Sequence, residues 1–382
     1  MKYNKNPFIA SQQAEIKALK KQGIDTKKFK FWKYYNKIEY NEKSNYIWLG
    51  PGWHWRENQI SIKNPKKIIN NESHLISEFY NKYILQKNKT RKNLAIATKG
   101  CESAVEASIN YFHSQSKKKI LYLIPTFDSH LRFSNNQITL NHLNEKWTKT
   151  IQNVSKIIKK ENIGCILIVN PNNPAGIMYP KEFFKKLSVI CNKEKIWLIE
   201  DGAYFLFASK KKQTCVMDYF DYSISSISSA KLFPKKGLRV GGLIASKKIN
   251  LNELKKFIET PNKKEKGWLI SRLNLINTNK KILKEYVNES YSTALKVKNS
   301  FIDAGLKPMF FYYEGNKKIY PVCPVMSFRK KGYSGKKLFD YLIKKGIITL
   351  FVESKDEKYN GVRVNTRAIL PNQIKLLKKG LK

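Results

Sequence analysis

Hydrophobic positions along the chain fall into two rhythms, and the switch between them marks out the predicted elements. From about residue 93, short apolar runs recur at 94–98, 120–124, 165–170, 196–201, 222–227 and 240–245. They are rich in Ile, Leu and Val and do not alternate with polar residues, as expected of strands buried on both faces of a parallel sheet. Between them, segments 102–112, 148–160 and 181–194 carry apolar residues at helical spacing. Strands alternating with helices of this length predict βαβ units in an α/β layer. Further on, 280–304 predicts a long connecting helix. Short strands near 309–313, 325–328 and 361–366 come after it, with a helix at 335–345, which predicts a smaller α+β domain. The first 45 residues are polar, Lys-rich and weakly patterned, apart from an aromatic cluster at 29–35.

Composition narrows the class. At roughly 100–200 residues per domain, 382 residues predict two domains or three. With 42% apolar and 13% aromatic residues, a disordered or collagen-like chain is excluded. No stretch approaches the roughly 18 apolar residues of a membrane helix. The start has Lys2 and Lys5 but no apolar core of a signal peptide, so no secretory signal is expected. Cys101, Cys165, Cys191, Cys215 and Cys323 are odd in number and show no C-x-x-C pair. That argues against a disulfide framework or zinc site and fits a cytoplasmic protein. The five His show no ligand spacing, so no metal is expected.

Charge is the loudest feature: 73 basic against 29 acidic residues give +44, which points first to nucleic acid or an anionic surface. Yet only eight of the basic residues are Arg and 65 are Lys. Phosphate-gripping proteins favour the planar fork of Arg. The chain is also crowded with Asn, Ile, Tyr and Phe, the other residues of A/T-rich codons, so the Lys excess reads as codon bias on solvated positions. Nucleic acid is therefore not the expected partner, and the few Arg become informative.

In open α/β sheets ligands bind beyond the carboxyl ends of the strands. After the 94–98 run comes Lys99-Gly100-Cys101-Glu102-Ser103-Ala104, a Gly turn opening a helix. Such a turn presents unpaired N–H groups and partial positive charge to an anion. After the 165–169 run comes Asn170-Pro171-Asn172-Asn173-Pro174-Ala175-Gly176, in which two Pro and a Gly stop the strand and stiffen a turn. After the 196–200 run comes Asp201-Gly202-Ala203-Tyr204. A carboxylate at the tip of a buried strand needs a cation or donor, or else caps the next segment of chain. After the 222–227 run comes Ser228-Ser229-Ala230-Lys231, with Gly237-Leu238-Arg239-Val240-Gly241 beyond it.

In order and position, ATKGCESA, NPNNPAG, DGAY and SSAKLFPKKGLRVGG resemble the class I/II aminotransferases, fold type I pyridoxal-phosphate enzymes. The segment G-V-R-V-N around Arg363 extends the likeness into the smaller domain. The resemblance implies a three-layer αβα large domain with a mostly parallel seven-stranded sheet, plus the smaller α+β domain. Residues 1–60 would form an N-terminal arm and part of the small domain, 61–285 the large domain, and 286–382 the rest of the small one. It implies pyridoxal 5′-phosphate on Lys231 as a Schiff base, Lys231 then acting as base and acid. Asp201 would pair with the pyridine nitrogen, and Asn173 and Tyr204 with the ring's phenolic oxygen. Arg239 and Ser228 would bind the phosphate beside the N–H groups of Gly100, Cys101, Glu102 and Ser103, and Phe127 would stack on the ring. Arg363 would fork onto the substrate carboxylate, with Asn173 and Gly52 beside it.

Three departures stand out. A carboxylate repels phosphate, so Glu102 is expected to point away while Ser103 serves. The family's Tyr that reaches the neighbouring subunit's cofactor is not recognisable, leaving Tyr80 or Tyr83 as substitutes. Gly50-Pro51-Gly52-Trp53-His54-Trp55 replaces an early substrate-site segment; its aromatics either line the pocket or pack on a partner subunit. The expected activity is transfer of an amino group between an L-amino acid and a 2-oxo acid by a ping-pong cycle, in a homodimer. Decarboxylation, β-elimination and racemisation use the same cofactor chemistry and are not separable by a residue list.

Overall fold

The computed structural model describes residues 47–49, 69–85, 95–207, 214–232, 239–352, 357–369 and 373–381. Gly52, the Trp-His-Trp segment, the 29–35 cluster and Gly237 lie outside these residues. Strand β1 (Ile47–Trp48) belongs to the smaller domain, and helix α1 (Glu72–Phe79) opens the described part of the larger one. The central sheet holds seven strands: β2 (Ala95–Thr98), β3 (Lys119–Ile124), β4 (Gln137–Asn141), β5 (Ile163–Val169), β6 (Trp197–Asp201), β7 (Ser223–Ser228) and β8 (Gly241–Ala245). Their order is β2-β8-β7-β6-β5-β3-β4. Only β8 runs antiparallel to its neighbours.

The large-domain helices are α2 (Cys101–Gln115), α3 (Trp147–Glu161), α4 (Lys181–Lys193), the short turn α5 (Ser229–Leu232), α6 (Leu251–Lys255) and α7 (Lys263–Thr278). Strand residues two apart share a face, so each strand feeds two cores. Ile120, Tyr122 and Ile124 pack with Val105, Ile109 and Phe112 of α2. Leu121 and Leu123 pack on the other face, in the core that α1, α3, α4 and α7 share. This is the expected three-layer αβα arrangement.

Strand β4 was not expected. It is an edge strand of mixed burial, so it lacks the continuous apolar run of β3 and β5.

Helix α8 (Lys280–Asp303) ties the two domains together. Leu283 near its start joins the large core, while Ala294, Val297 and Phe301 join the small one. The small domain carries β9 (Lys307–Pro308), the hairpin β10 (Tyr312–Glu314) and β11 (Lys317–Ile319), and β12 (Val325–Arg329). Helix α9 (Gly335–Lys344), β13 (Ile347–Ile348), β14 (Leu350–Val352), β15 (Gly361–Asn365) and α10 (Gln373–Leu381) complete it. Strands β14-β15-β12-β9 form an antiparallel sheet, and β1 pairs in parallel with β13. The single strand expected near 309–313 is split. Met309 and Phe310 turn inward onto Ala175 and Ile177, beneath the NPNNPAG loop.

That loop is clamped between the domains. Ser327 Oγ donates to the Pro174 carbonyl at 2.8 Å. Gly176 sits at φ +71, where a Cβ would lie 2.3 Å from the Val325 carbonyl oxygen. Both facts demand glycine there.

Candidate active site

The carboxyl ends of β2, β5, β6 and β7 converge beneath the start of α2. Gly100 precedes that helix at φ +89, and a Cβ on Gly241 would lie 3.2 Å from the Gly100 Cα. Glycine at both positions lets the turn lie flat against β8 and leaves the first-turn N–H groups of Cys101, Glu102 and Ser103 pointing along the helix axis.

Asp201 ends β6 and is buried. Its Oδ1 accepts from Ala203 N at 2.8 Å and from the Cys101 thiol at 2.8 Å. His130 Nε2 lies 3.3 Å from Oδ2, within ion-pair range but too poorly aligned for a hydrogen bond. Burial pushes the carboxyl up; His130, Cys101 and Ala203 outweigh it and hold it below its ordinary value. Asp201 thus caps its own turn and remains an anion.

Lys231 lies in α5, just past β7, with Nζ 5.6 Å from the centre of the Tyr204 ring. Burial lowers its amine to about 7, helped by Arg367, Arg363 and Arg239 and opposed by Asp201. The Tyr204 hydroxyl accepts from Asn365 Nδ2 at 3.0 Å. Burial raises this phenol while Arg363 and Arg367 pull it down. Arg363 Nη1 donates to Asn173 Oδ1 at 3.5 Å, so the small-domain Arg reaches the large-domain loop. Asn170 and Asn172 brace that loop instead: Asn170 donates to Glu200 and the Thr214 carbonyl, Asn172 to the Pro125 carbonyl.

The other expected residues surround this cluster. Ser228 is buried at the end of β7. Phe127 stands edge-on to His130 with ring centres 5.4 Å apart. The Cys101 side chain turns into the sheet toward Asp201 and Ser226, leaving its backbone at the helix start. Glu102 does not point away as expected: its Oε2 lies 3.3 Å from Arg239 Nη1, because a first-turn carboxylate takes the nearest cation.

Tyr80 and Tyr83 do not fill the role suggested for them. Tyr80 is wholly buried and donates to the Ser225 carbonyl at 3.0 Å, and the Tyr83 hydroxyl donates to the Ile276 carbonyl. Both are tied into the core of their own chain.

Three residues in the cluster were missed by sequence reasoning. His130 follows Phe127 by three positions and Arg367 follows Arg363 by four; Asn365 lies between the two Arg. The scarcity of Arg was the available signal for Arg367.

Residues 70–368 match the family described as aminotransferase class I and II. The chain belongs to this family. It is a pyridoxal-phosphate-dependent aminotransferase. Over 313 residues it is 25% identical to the histidinol-phosphate aminotransferase of Buchnera aphidicola subsp. Melaphis rhois, covering 79% of this chain and 81% of that protein. A shorter match, 28% identical over 153 residues, covers 37% of this chain and 39% of an L-serine phosphate decarboxylase of Campylobacter jejuni. Among solved structures, Saccharomyces cerevisiae Bna3p superposes with TM-score 0.69 at 14% identity, covering 98% of this chain and 96% of that one. Cystalysin from Treponema denticola, which contains pyridoxal 5′-phosphate, superposes with TM-score 0.67 at 14% identity, covering 90% and 92%. At these identities the structures share a fold. The aminotransferase's own donor set fits the cofactor. An anionic Asp201 suits a protonated ring nitrogen, a helix start beside Arg239 suits a phosphate, and a Lys amine near 7 suits an aldehyde.

Proposed function

We propose that this aminotransferase moves an amino group between an L-amino acid and a 2-oxo acid in a ping-pong cycle centred on Lys231. The observation that carries the reading is the Lys231 amine, lowered to about 7 beside Tyr204 and an ionised Asp201. When bound, pyridoxal 5′-phosphate supplies an aldehyde that takes up amino groups and a ring that accepts the electron pair left at the substrate Cα. Lys231 Nζ, poised near neutral pH, both removes and returns a proton there. Asp201 holds the ring nitrogen, Asn173 and Tyr204 the ring oxygen, and Phe127 packs on the ring. Ser228, Arg239 and the N–H groups of Gly100, Cys101, Glu102 and Ser103 hold the phosphate. Arg239 then exchanges Glu102 for a more highly charged anion. Arg363 binds the substrate carboxylate beside Asn173. Catalysis thus falls to Lys231, Asp201 and Tyr204.

The domain limits of 1–60, 61–285 and 286–382, a homodimer and a cytoplasmic location belong to the same reading, and rest on the resemblance. Two relatives are named for phosphorylated substrates, which makes a phosphorylated amino compound a candidate here too. The decarboxylase among them supports a second outcome at Cα, loss of CO₂.

The test is incubation of the cofactor-loaded protein with candidate amino acids and 2-oxoglutarate. Glutamate formation with neither CO₂ nor ammonia is the expected result. CO₂ release without glutamate would replace transfer with decarboxylation.

A further inference from the structure

Cys101 takes part in two structures at once. It is the first residue of α2, so its backbone N–H is one of those a helix start leaves without an intrahelical partner. Its side chain turns into the sheet, where the thiol donates to Asp201 Oδ1 at 2.8 Å and meets Ser226 Oγ at 2.9 Å. The sulfur carries one proton, and two acceptors are within reach of it. Ser226 is neutral and spends its own proton on the Glu200 carbonyl, at 3.1 Å. Asp201 is charged, and a hydrogen bond to an ion is about twice as strong as one between neutral groups. Burial first, and then the Asp201 charge, push the thiol well above its ordinary value, so it keeps its proton and remains a donor.

The two hydrogen bonds to the Asp201 carboxylate fall on one oxygen. Oδ1 accepts from the thiol and from Ala203 N, both at 2.8 Å, while Oδ2 has the His130 ring 3.3 Å away. The Ala203 donor belongs to Asp201's own turn and moves with it. Among the described residues, the thiol is the hydrogen bond that ties this carboxylate to a different element, the start of α2. The other face of β6 holds the same pairing without a site beside it. There Cys215 Sγ lies 3.1 Å from Glu200 Oε2. The two thiol–carboxylate pairs differ in what their carboxylate faces, so Cys215 serves as an internal control for Cys101.

We infer that Cys101 is a positioning residue whose thiol holds the Asp201 carboxylate in the orientation that the ring nitrogen of pyridoxal 5′-phosphate requires. This rests on the reading of Asp201 as the partner of that nitrogen, and adds the group that acts through it. One residue thereby ties the helix start that faces the phosphate to the strand end that faces the ring. Its backbone serves the first and its side chain the second.

The experiment is calorimetric titration of the cofactor-free full chain with pyridoxal 5′-phosphate and with its 1-deaza analogue, in which C–H replaces the ring nitrogen. The wild type should bind the natural cofactor about tenfold tighter or more, the size of one charge-assisted hydrogen bond. Cys101→Ala should cut that preference about fivefold by weakening the natural cofactor, with the analogue's affinity held within about twofold. Cys101→Ser keeps a donor and should retain the preference to within about twofold, as should Cys215→Ala. A Cys101→Ala protein that keeps the full preference would overturn the proposal. So would one that loses affinity for both ligands by the same factor, since the side chain would then only pack. If that variant does not fold, Cys101→Val carries the test: it fills the space without a donor, and an unaltered preference in it would contradict the proposal. A wild type with no preference between the two ligands would instead refute the reading of Asp201, and this proposal with it.

Discussion

Glu200 and Asp201 are neighbours at the end of β6, both buried, on opposite faces of the sheet. On the Glu200 face every donor is neutral: Asn170 Nδ2 at 2.8 Å, Ser225 Oγ at 2.8 Å, Cys215 Sγ at 3.1 Å and Val216 N at 3.3 Å. Burial still pushes Glu200 up to about 7. On the Asp201 face the donors are fewer, Ala203 N and the Cys101 thiol, but the His130 ring lies 3.3 Å from Oδ2 and the carboxyl falls below its ordinary value. The count of neutral donors does not decide whether a buried carboxylate stays charged. A partner able to carry positive charge does. One face of the strand is built for cohesion and the other for chemistry.

The sharpest break between the two faces is in activity. Asp201→Asn should lower kcat/KM by roughly a thousandfold, about 4 kcal/mol of transition-state stabilisation. Glu200→Gln should change it by no more than about threefold, measured in the same assay. Comparable losses would mean that the faces are not functionally distinct.

The next effect is on stability against pH. Glu200 has its folded pKa raised from 4.5 to about 7, so its favourable contribution is complete below 4.5 and is lost as pH rises through 7. The shift corresponds to roughly 3 kcal/mol. Glu200→Gln should therefore flatten the fall in stability between pH 5 and 8, read from urea unfolding at several pH values.

Lys231 slopes the other way. Its folded pKa lies below the unfolded value of 10.5, so the cofactor-free protein gains stability as pH rises from about 7 to 10.5. Lys231→Met should raise the Tm of the cofactor-free protein near pH 7 and leave it unaltered above pH 11. The smallest change is Cys101→Ala, which removes one donor to Asp201 and should lower stability by about 1 kcal/mol.

The same physics explains which residues were legible in the chain. Residues at strand ends announce themselves where an apolar run stops abruptly, at Asn170 and at Glu200-Asp201. Groups brought in by long-range packing do not. His130 reads as one of five scattered His until β3 and β6 come to share a sheet and its ring meets Asp201. Glu200 reads as part of an apolar strand, and its network appears only when folding brings Asn170, Ser225, Cys215 and Val216 around it. Helix α7 is hidden amid Lys, although the reciprocal cap between Asn262 and Glu265 is written in the sequence. The Glu102–Arg239 pair runs against expectation because nothing local in the sequence shows that folding brings this first-turn carboxylate within 3.3 Å of a cation 137 positions away.

The most direct measurement concerns Lys231. Borohydride reduction of the yellow, cofactor-loaded protein, with peptide mapping afterwards, should discharge the colour and leave a pyridoxyl group on Lys231 alone. A label on another of the 65 Lys, or colour that persists after reduction, would contradict the account.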